Sequence, residues 1–253
     1  MEEIIRIGEG LSEIGQLHLD FDDSMAFERV KSILCIPLSI LISNNLHCCF
    51  LVFLVGINLH CNNLHTLENF PRFLGLVELN LSSNKFSTVA FPELAYLTSL
   101  TLLDMSSNCI SSIAHMPYLP ALTNLKLSFN FITSLESLDE NAPNLNEIDV
   151  RCNLLKLPSS LLPIKALKSL QKASIGGGSD PNPISSRASN MARLFSETTA
   201  LKTIDDKTQE YWYGLEDKEA IEASRTICMP ESFVPTQFMP QQSGYSRDTD
   251  ADR

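Results

Sequence analysis

An eleven-residue phrase of the form Leu-x-x-Leu-x-Leu-x-x-Asn-x-Leu recurs five times in this chain, with Ile, Val, Met or Phe replacing some leucines. The copies read LVGINLHCNNL, LVELNLSSNKF, LTLLDMSSNCI, LTNLKLSFNFI and LNEIDVRCNLL, and they begin at residues 54, 76, 100, 122 and 145. A sixth phrase, LQKASIGGGSD from residue 170, keeps the leading Leu but has no Asn at the expected position. Successive starts lie 22 to 25 residues apart, and this period predicts a stack of short repeats.

Each phrase predicts one coil of a solenoid in which a short parallel strand passes once per coil. The apolar residues at the first, fourth and sixth positions then point inward, and a single coil cannot bury them without its neighbours. The period and the pattern are those of leucine-rich repeats. We therefore expect an α/β solenoid, a leucine-rich-repeat horseshoe with a parallel concave sheet and short helical or 3-10 turns on the convex side.

The Asn of each phrase forms a column at the point where the chain turns away from the strand. A side-chain amide offers both donors and an acceptor, so it can satisfy backbone groups that the stack would otherwise bury unpaired. The predicted structural ladder consists of Asn62, Asn84, Asn108, Asn130 and Asn153.

The stretch INLHCNNL, residues 57–64, also has the appearance of a metal site. Six potential ligands lie close together in the sequence: His47, Cys48, Cys49, His60, Cys61 and His65. A structural zinc site requires four convergent ligands, usually in paired short spacings, and these residues have no such spacing. The repeat pattern accounts for the stretch, so we predict no metal and no cofactor.

Composition and charge exclude several functional classes. The formal net charge of −11 argues against nucleic-acid binding, which requires a basic face. The GGGSD stretch (176–180) lacks the Lys of a phosphate-binding loop, and no catalytic motif is present, so we predict that the protein is not an enzyme. Seven cysteines without paired spacing, and an acidic N-terminal stretch, predict a cytoplasmic protein with reduced thiols.

An uncharged stretch between Lys31 and Glu68 interrupts the approach to the first repeat. Residues 33–57 are apolar and long enough to span a bilayer, but Pro37 and internal Asn and His residues argue against a membrane helix. When residues 34–57 are deleted, the junction again resembles a normal repeat. Three interpretations remain open: an inserted or artefactual segment, a buried structural piece, and a membrane helix.

Five regions follow from these patterns. Residues 1–33 are an N-terminal cap region, with a half-coil at 10–20 whose inward residues are Ile14, Leu17 and Leu19. Residues 34–57 are the apolar insert leading into the first repeat, 54–180 are the repeats, and 181–206 are a C-terminal cap with a helix near 187–198. Residues 207–253 are a short helix and a tail of disordered composition, in which FVP and FMP recur five residues apart.

Two further sets of phrases resemble known families. NKFSTV, NCISSI and NFITSL resemble the short intracellular leucine-rich-repeat class that includes phosphatase-regulatory and dynein-associated members. GLSEIGQLHLDFDD, INLHCNNLHTLE and GGGSDPNP resemble the N-terminal repeats of the centrosomal leucine-rich-repeat and coiled-coil family, over about residues 9–206. This resemblance implies a non-catalytic role at the centrosome, the centriole or the base of the cilium. No heptads follow residue 206, so coiled-coil self-association is not predicted.

Side chains that alternate with the core leucines are expected on the concave face, where a protein partner would bind. Acidic members could recognise a basic segment, and the aromatic ring among them is a candidate anchor unless it packs against the turn. The candidates are Glu78, Asn80, Leu102, Asp104, Lys126, Phe129, Glu147, Asp149 and Arg151. Two other functions stay open: a regulatory subunit that docks on an enzyme such as a protein phosphatase, and a membrane-tethered recognition protein.

Overall fold

One parallel sheet dominates the computed structural model. The structure describes residues 55–68, 70, 72–176 and 181–227, and it describes residues 224–227 through their backbone only. Its seven strands lie side by side in chain order. They are β1 Gly56–Asn58, β2 Glu78–Asn80, β3 Leu102–Asp104, β4 Asn124–Lys126, β5 Glu147–Asp149, β6 Lys172–Ser174 and β7 Thr203–Ile204. This order confirms the predicted α/β solenoid with an open concave sheet.

Strand register follows the repeat phrase, since the fourth position of each phrase pairs with the fourth position of the next. Leu79 pairs with Leu103, which pairs with Leu125, which pairs with Ile148. All four are at most 2% exposed. Each coil therefore covers the apolar row of the one before it, and a single continuous core runs through the stack.

The convex side consists of short helical turns, and proline explains where several of them begin. The 3-10 turns Pro92–Tyr96, Pro158–Leu161 and Pro183–Ser186 each start with proline, whose fixed φ and missing N–H suit the first helical position. The α-helices on this side are α1 Leu138–Asn141, α2 Leu162–Ala166 and α3 Ala188–Glu197.

The asparagine side chains bond neighbouring coils to one another. Asn130 is 4% exposed; its Nδ2 donates to the carbonyl oxygens of Met105 and Leu127, each at 3.0 Å. Its Oδ1 accepts from the amide of Ile110 at 2.9 Å. Asn84, Asn108 and Asn153 make the same three kinds of bond. The Nδ2 of Asn62 bonds carbonyls of its own coil.

The sixth coil also has a ladder asparagine, although its phrase contains none. Asn182 is 1% exposed, and its Nδ2 donates to the carbonyls of Val150 and Ile175 at 2.7 Å each. Its Oδ1 accepts from the amide of Leu155 at 3.0 Å. The predicted ladder did not include Asn182, because this residue follows Ile175 by seven residues, whereas Asn153 follows Val150 by three.

The residue before each of the five predicted ladder asparagines adopts the left-handed conformation. Its φ lies between 54° and 57° in five coils: Cys61, Ser83, Ser107, Phe129 and Cys152. Residues other than Gly rarely adopt this conformation and it disfavours them by about 1–2 kcal/mol. The turn recurs because the Asn that follows it bonds backbone groups of its own coil and, from Asn84 onward, of the preceding coil.

The last coil is completed by α3, β7 and a longer helix, α4 Gln209–Ile227. Met191, Leu194 and Phe195 of α3 are buried against the end of the stack. The indole Nε1 of Trp212 in α4 donates to the carbonyl of Ile204 at 3.2 Å, so α4 packs next to the final strand.

Several predicted regions lie outside the described residues. These are the half-coil with Ile14, Leu17 and Leu19, the stretch 34–54, residues 177–180 and the tail from 228 onward. Residues 56–57, which the sequence assigned to the apolar insert, belong to β1, where Ile57 is 7% exposed and pairs with Leu79. The three interpretations of the insert remain predictions.

Candidate functional site: the concave face

The concave face carries the predicted binding residues in adjacent rows, because the strands run parallel and in register. Glu78, Leu102, Asn124 and Glu147 pair across β2 to β5 in one row. The next row is formed by Asn80, Asp104, Lys126 and Asp149. Leu102 is only partly exposed. Neighbouring members of a row are about 4.8 Å apart, close enough for one extended or helical ligand to contact several.

The second row has a structural task that the sequence pattern did not reveal. In four coils its side-chain oxygen accepts the amide two residues later, at 3.0–3.1 Å: Asn58 from His60, Asn80 from Ser82, Asp104 from Ser106 and Asp149 from Arg151. Such local bonds fix the end of a strand where the chain turns. These side chains are thus held in place by the backbone.

All three described cations of this face, Lys126, Arg151 and Lys172, are paired with aspartates. Lys126 Nζ lies 3.6 Å from Asp104 Oδ2. Arg151 binds Asp149 through two bonds, Nε to Oδ1 at 3.0 Å and Nη2 to Oδ2 at 2.7 Å, and this hydrogen bond is the main cause that raises the pKa of Arg151. Exposed pairs contribute at most about 1 kcal/mol to stability, so their main effect is to neutralise the positive charge of the face.

The first row carries two carboxylates that form no ion pair among the described residues, because Lys172, which lies in register with Glu147, binds Asp206 instead. Glu78 and Glu147 are exposed on β2 and β5. Glu147 Oε2 accepts a bond from Asn124 Nδ2 at 3.2 Å, and no ion pair of Glu78 is present among the described residues. These two carboxylates can accept further hydrogen bonds from a ligand.

A shallow depression of about 180 Å³ lies where β4, β5 and β6 meet. Its lining combines charged and polar side chains over the strand backbones: Asn124, Lys126, Glu147, Asp149, Arg151, Lys172 and Ser174. A cavity of this size and polarity suits one side chain of a partner rather than an apolar cofactor, since ligand pockets usually measure about 300–1,000 Å³.

Asp205 directly follows the last strand, β7, and adopts the left-handed conformation. Its carboxylate accepts the amides of Ile175 at 2.8 Å and Gly176 at 2.9 and 3.0 Å. Burial raises the pKa of Asp205, opposed by these two amides and by Arg151, with a small increase from Asp149. The neighbouring Asp206 is exposed, and the bond from Lys172 lowers its pKa.

These two carboxyls predict opposite pH effects. A raised folded pKa means that the contribution of Asp205 to stability is present below the unfolded value of about 3.9 and is lost as pH rises through the folded pKa. For Asp206 the contribution is present above about 3.9 and is lost as pH falls through the folded pKa. Urea unfolding from pH 3 to 7 should therefore show wild type losing stability relative to Asp205→Asn as pH rises, and gaining it relative to Asp206→Asn. Parallel curves would contradict this assignment.

Phe129 lies at the turn after β4 rather than on the strand. Its ring is 51% exposed, so it is not packed against the turn. Two other exposed apolar side chains belong to the same two coils: Phe131 follows Phe129 by two residues, and Leu154 donates its amide to the carbonyl of Ile132, the residue after Phe131. The sequence analysis did not single these two out, although both directly follow a ladder Asn.

The parts of the chain that the structure describes contain neither a cluster of metal ligands nor a membrane-spanning helix. There, no three His, Cys, Asp or Glu side chains come together as ligands would. His47, Cys48 and Cys49 are outside those parts. No described helix combines the length and apolar character required to cross a bilayer.

Comparison with known proteins yields similarity to solved structures alone. No protein-family model matches the chain, and no curated protein matches it. A chain in the crystal structure of the Drosophila melanogaster SNF/U2A′ complex is 24% identical over 51% of this chain and 76% of its own length, with a TM-score of 0.42. Internalin C2 of Listeria monocytogenes is 25% identical over 61% of this chain and 72% of its own, with a TM-score of 0.44.

A second internalin of Listeria monocytogenes, internalin F, is 19% identical with a TM-score of 0.46. The match covers 63% of this chain and 50% of internalin F, so this chain spans about half the length of that protein. The fold assignment itself rests on the strand register and on the asparagine ladder.

Proposed function

We propose that this leucine-rich-repeat protein is a non-catalytic protein–protein interaction scaffold whose concave face binds a partner segment rich in Lys or Arg. The observation that carries this proposal is the charge of the face. Its cations Lys126, Arg151 and Lys172 are already paired with aspartates, whereas Glu78 and Glu147 are exposed on the strands. A basic segment would complete this arrangement, and an acidic one would be repelled.

The concave face remains negatively charged when Lys172, Asp205 and Asp206 are included. Its described carboxylates are Glu78, Asp104, Glu147, Asp149, Asp205 and Asp206, and its described Lys and Arg side chains are Lys126, Arg151 and Lys172. An excess of carboxylates attracts basic partners during their approach and raises the association rate. The depression between β4 and β6 offers a place for one side chain of that partner.

A charge reversal restricted to the first row tests the proposal. Glu78→Lys with Glu147→Lys should weaken binding of the partner by at least about tenfold, since like charges across an interface cost several kcal/mol. These positions are preferable to Asp104 and Asp149, whose carboxylates accept backbone amides, so that changes there would also disturb the strand ends.

The matched control places the same charge change elsewhere on the surface. Glu136→Lys with Glu140→Lys alters two exposed residues in and just before α1, away from the strands. Partners would be collected by quantitative affinity purification with wild type and both double variants. Selective loss of a basic partner from the strand variant supports the proposal; equal recovery with all three proteins contradicts it.

We further propose that the protein acts in the cytoplasm at the centrosome or at the base of the cilium. The support is the resemblance of its cap and first-repeat phrases to the centrosomal leucine-rich-repeat and coiled-coil family. A fluorescent fusion expressed from the native locus should form puncta that overlap a centriole marker. Diffuse or membrane fluorescence would contradict this location and leave the binding proposal to be judged by the charge variants.

A further inference from the structure

Four apolar side chains form an exposed patch on the loop side of the fourth and fifth coils, next to the concave face. This lateral patch consists of Phe129, Phe131, Leu154 and Leu157, which are 51%, 53%, 41% and 62% exposed. Phe129 donates its amide to the carbonyl of Arg151, and Leu154 donates to that of Ile132, the residue after Phe131. The four therefore lie on two adjacent coils.

The patch is confined to these coils. At the positions of Phe131 and Leu154, directly after the ladder Asn, the first three coils carry Asn63, Lys85 and Cys109. At the position of Phe129 the second and third coils carry Ser83 and Ser107. The repeat pattern does not require an apolar residue at either position, so its appearance in two neighbouring coils indicates a contact surface.

We propose that the lateral patch is covered by residues 228–253 of the same chain, with Phe233 and Phe238 as anchors. The two aromatic residues belong to the phrases FVP and FMP. In an extended proline-containing segment, five residues span about 16 Å. The two rings can thus contact different members of the patch.

The described part of the chain ends within reach of the patch. Ile184 donates its amide to the carbonyl of Leu155 at 2.9 Å, and Ala188 donates its amide to Glu219 Oε1 of α4 at 3.1 Å. Helix α4 therefore passes within a few residues of the fifth coil and ends at Ile227, about 12 Å of helix beyond Glu219. The eleven residues to Phe238 reach up to about 36 Å, which suffices to return to Leu157.

Opposite charges beside the patch and in residues 228–253 support the docking of this segment. The exposed Lys156 lies between Leu154 and Leu157 in the sequence, and Glu231 precedes Phe233 by two residues. Proline also lowers the conformational entropy that the segment loses on binding, which favours docking on an aromatic surface.

A second copy of the chain is a weaker candidate for this patch. Four side chains that are about half exposed present on the order of 400 Å², whereas a stable interface buries about 800 Å² per partner. A tethered segment does not need such an area, because its effective concentration near the patch is in the millimolar range.

Photo-crosslinking in the full chain tests the proposal. Phe238 is replaced by p-benzoylphenylalanine, and crosslinked peptides are identified by mass spectrometry. We expect intramolecular links to peptides that contain Phe131 or Leu154, and at least about a fivefold loss of these links in a Phe131→Ser, Leu154→Ser variant. Tyr118→Ser is the control, since Tyr118 is 58% exposed and precedes β4, whereas the patch residues follow β4 and β5.

Each outcome decides the proposal. Intramolecular links that depend on Phe131 and Leu154 but not on Tyr118 support it. Links between two chains, visible as a species of doubled mass, would overturn it in favour of a second copy. Links to a foreign protein, links spread over the whole surface, or none at all would overturn it as well. Equal unfolding midpoints of the three proteins verify that the exposed substitutions leave the fold intact. The concave-face proposal is independent of every one of these results.

Discussion

Replacement of Asn182 by Ala should lower the free energy of unfolding by about 2–4 kcal/mol. The substitution removes two donors, to Val150 and Ile175, and the acceptor of the Leu155 amide, at a site that is 1% exposed. Each buried group that loses its partner costs about 1–3 kcal/mol. Urea denaturation, followed by circular dichroism and by the fluorescence of the only tryptophan, Trp212, measures the change.

Two other asparagines provide the comparison for this prediction. Asn130→Ala removes the same kinds of bond within the regular repeats and should be about as destabilising. Asn144 is an exposed residue whose Nδ2 makes one bond, to the carbonyl of Pro120, so Asn144→Ala should cost less than about 1 kcal/mol. If Asn182→Ala behaved like Asn144→Ala, the sixth coil would not depend on its ladder residue.

The same substitution at two glycines should change stability in opposite directions. A Cβ on Gly176 would lie 2.9 Å from Asp205 Oδ2 and 3.0 Å from Ser185 Cβ. The Asp205 carboxylate cannot move away without loss of its bonds to the amides of Ile175 and Gly176. Gly176→Ala should therefore lower the free energy of unfolding by about 1–3 kcal/mol.

Gly214 lies inside α4, and a Cβ there would meet no atom within 4 Å. Ala restricts the unfolded chain and favours the helix, so Gly214→Ala should raise stability by about 0.5–1 kcal/mol. Thermal and urea unfolding of both variants beside wild type measures the two changes. Equal effects, or a stable Gly176→Ala protein, would show that the contact between Asp205 and the end of β6 is loose.

The repeat phrase predicted the stack because its spacing is a direct consequence of the coil. Leu79, Leu103 and Leu125 had to share one inward row if each coil has one strand, and the structure places them in that row. The phrase failed at Asn182 for an equally physical reason. Four additional residues after Ile175 break the spacing while the backbone still returns the amide to the same place in the ladder.

The sequence showed which residues form the candidate site, but it did not show which of their side chains are already hydrogen-bonded or ion-paired. Alternation along a strand is enough to assign Glu78 and Asp104 to the concave face. It does not reveal that the Asp104 carboxylate already accepts the amide of Ser106 and forms an ion pair with Lys126. Those bonds depend on distances between neighbouring coils and on the turn that follows the strand.

The sequence alone determined the architecture of this protein, since a 22–25-residue period with fixed apolar and Asn positions can bury its core in one way, by stacking. Only the tertiary structure decided which polar groups remain available for a partner and which apolar ones remain exposed. Phe131 and Leu154 became neighbours because adjacent coils bond in register, although 23 residues separate them in the chain. Contacts of this kind arise between coils, and no single repeat contains the information that specifies them.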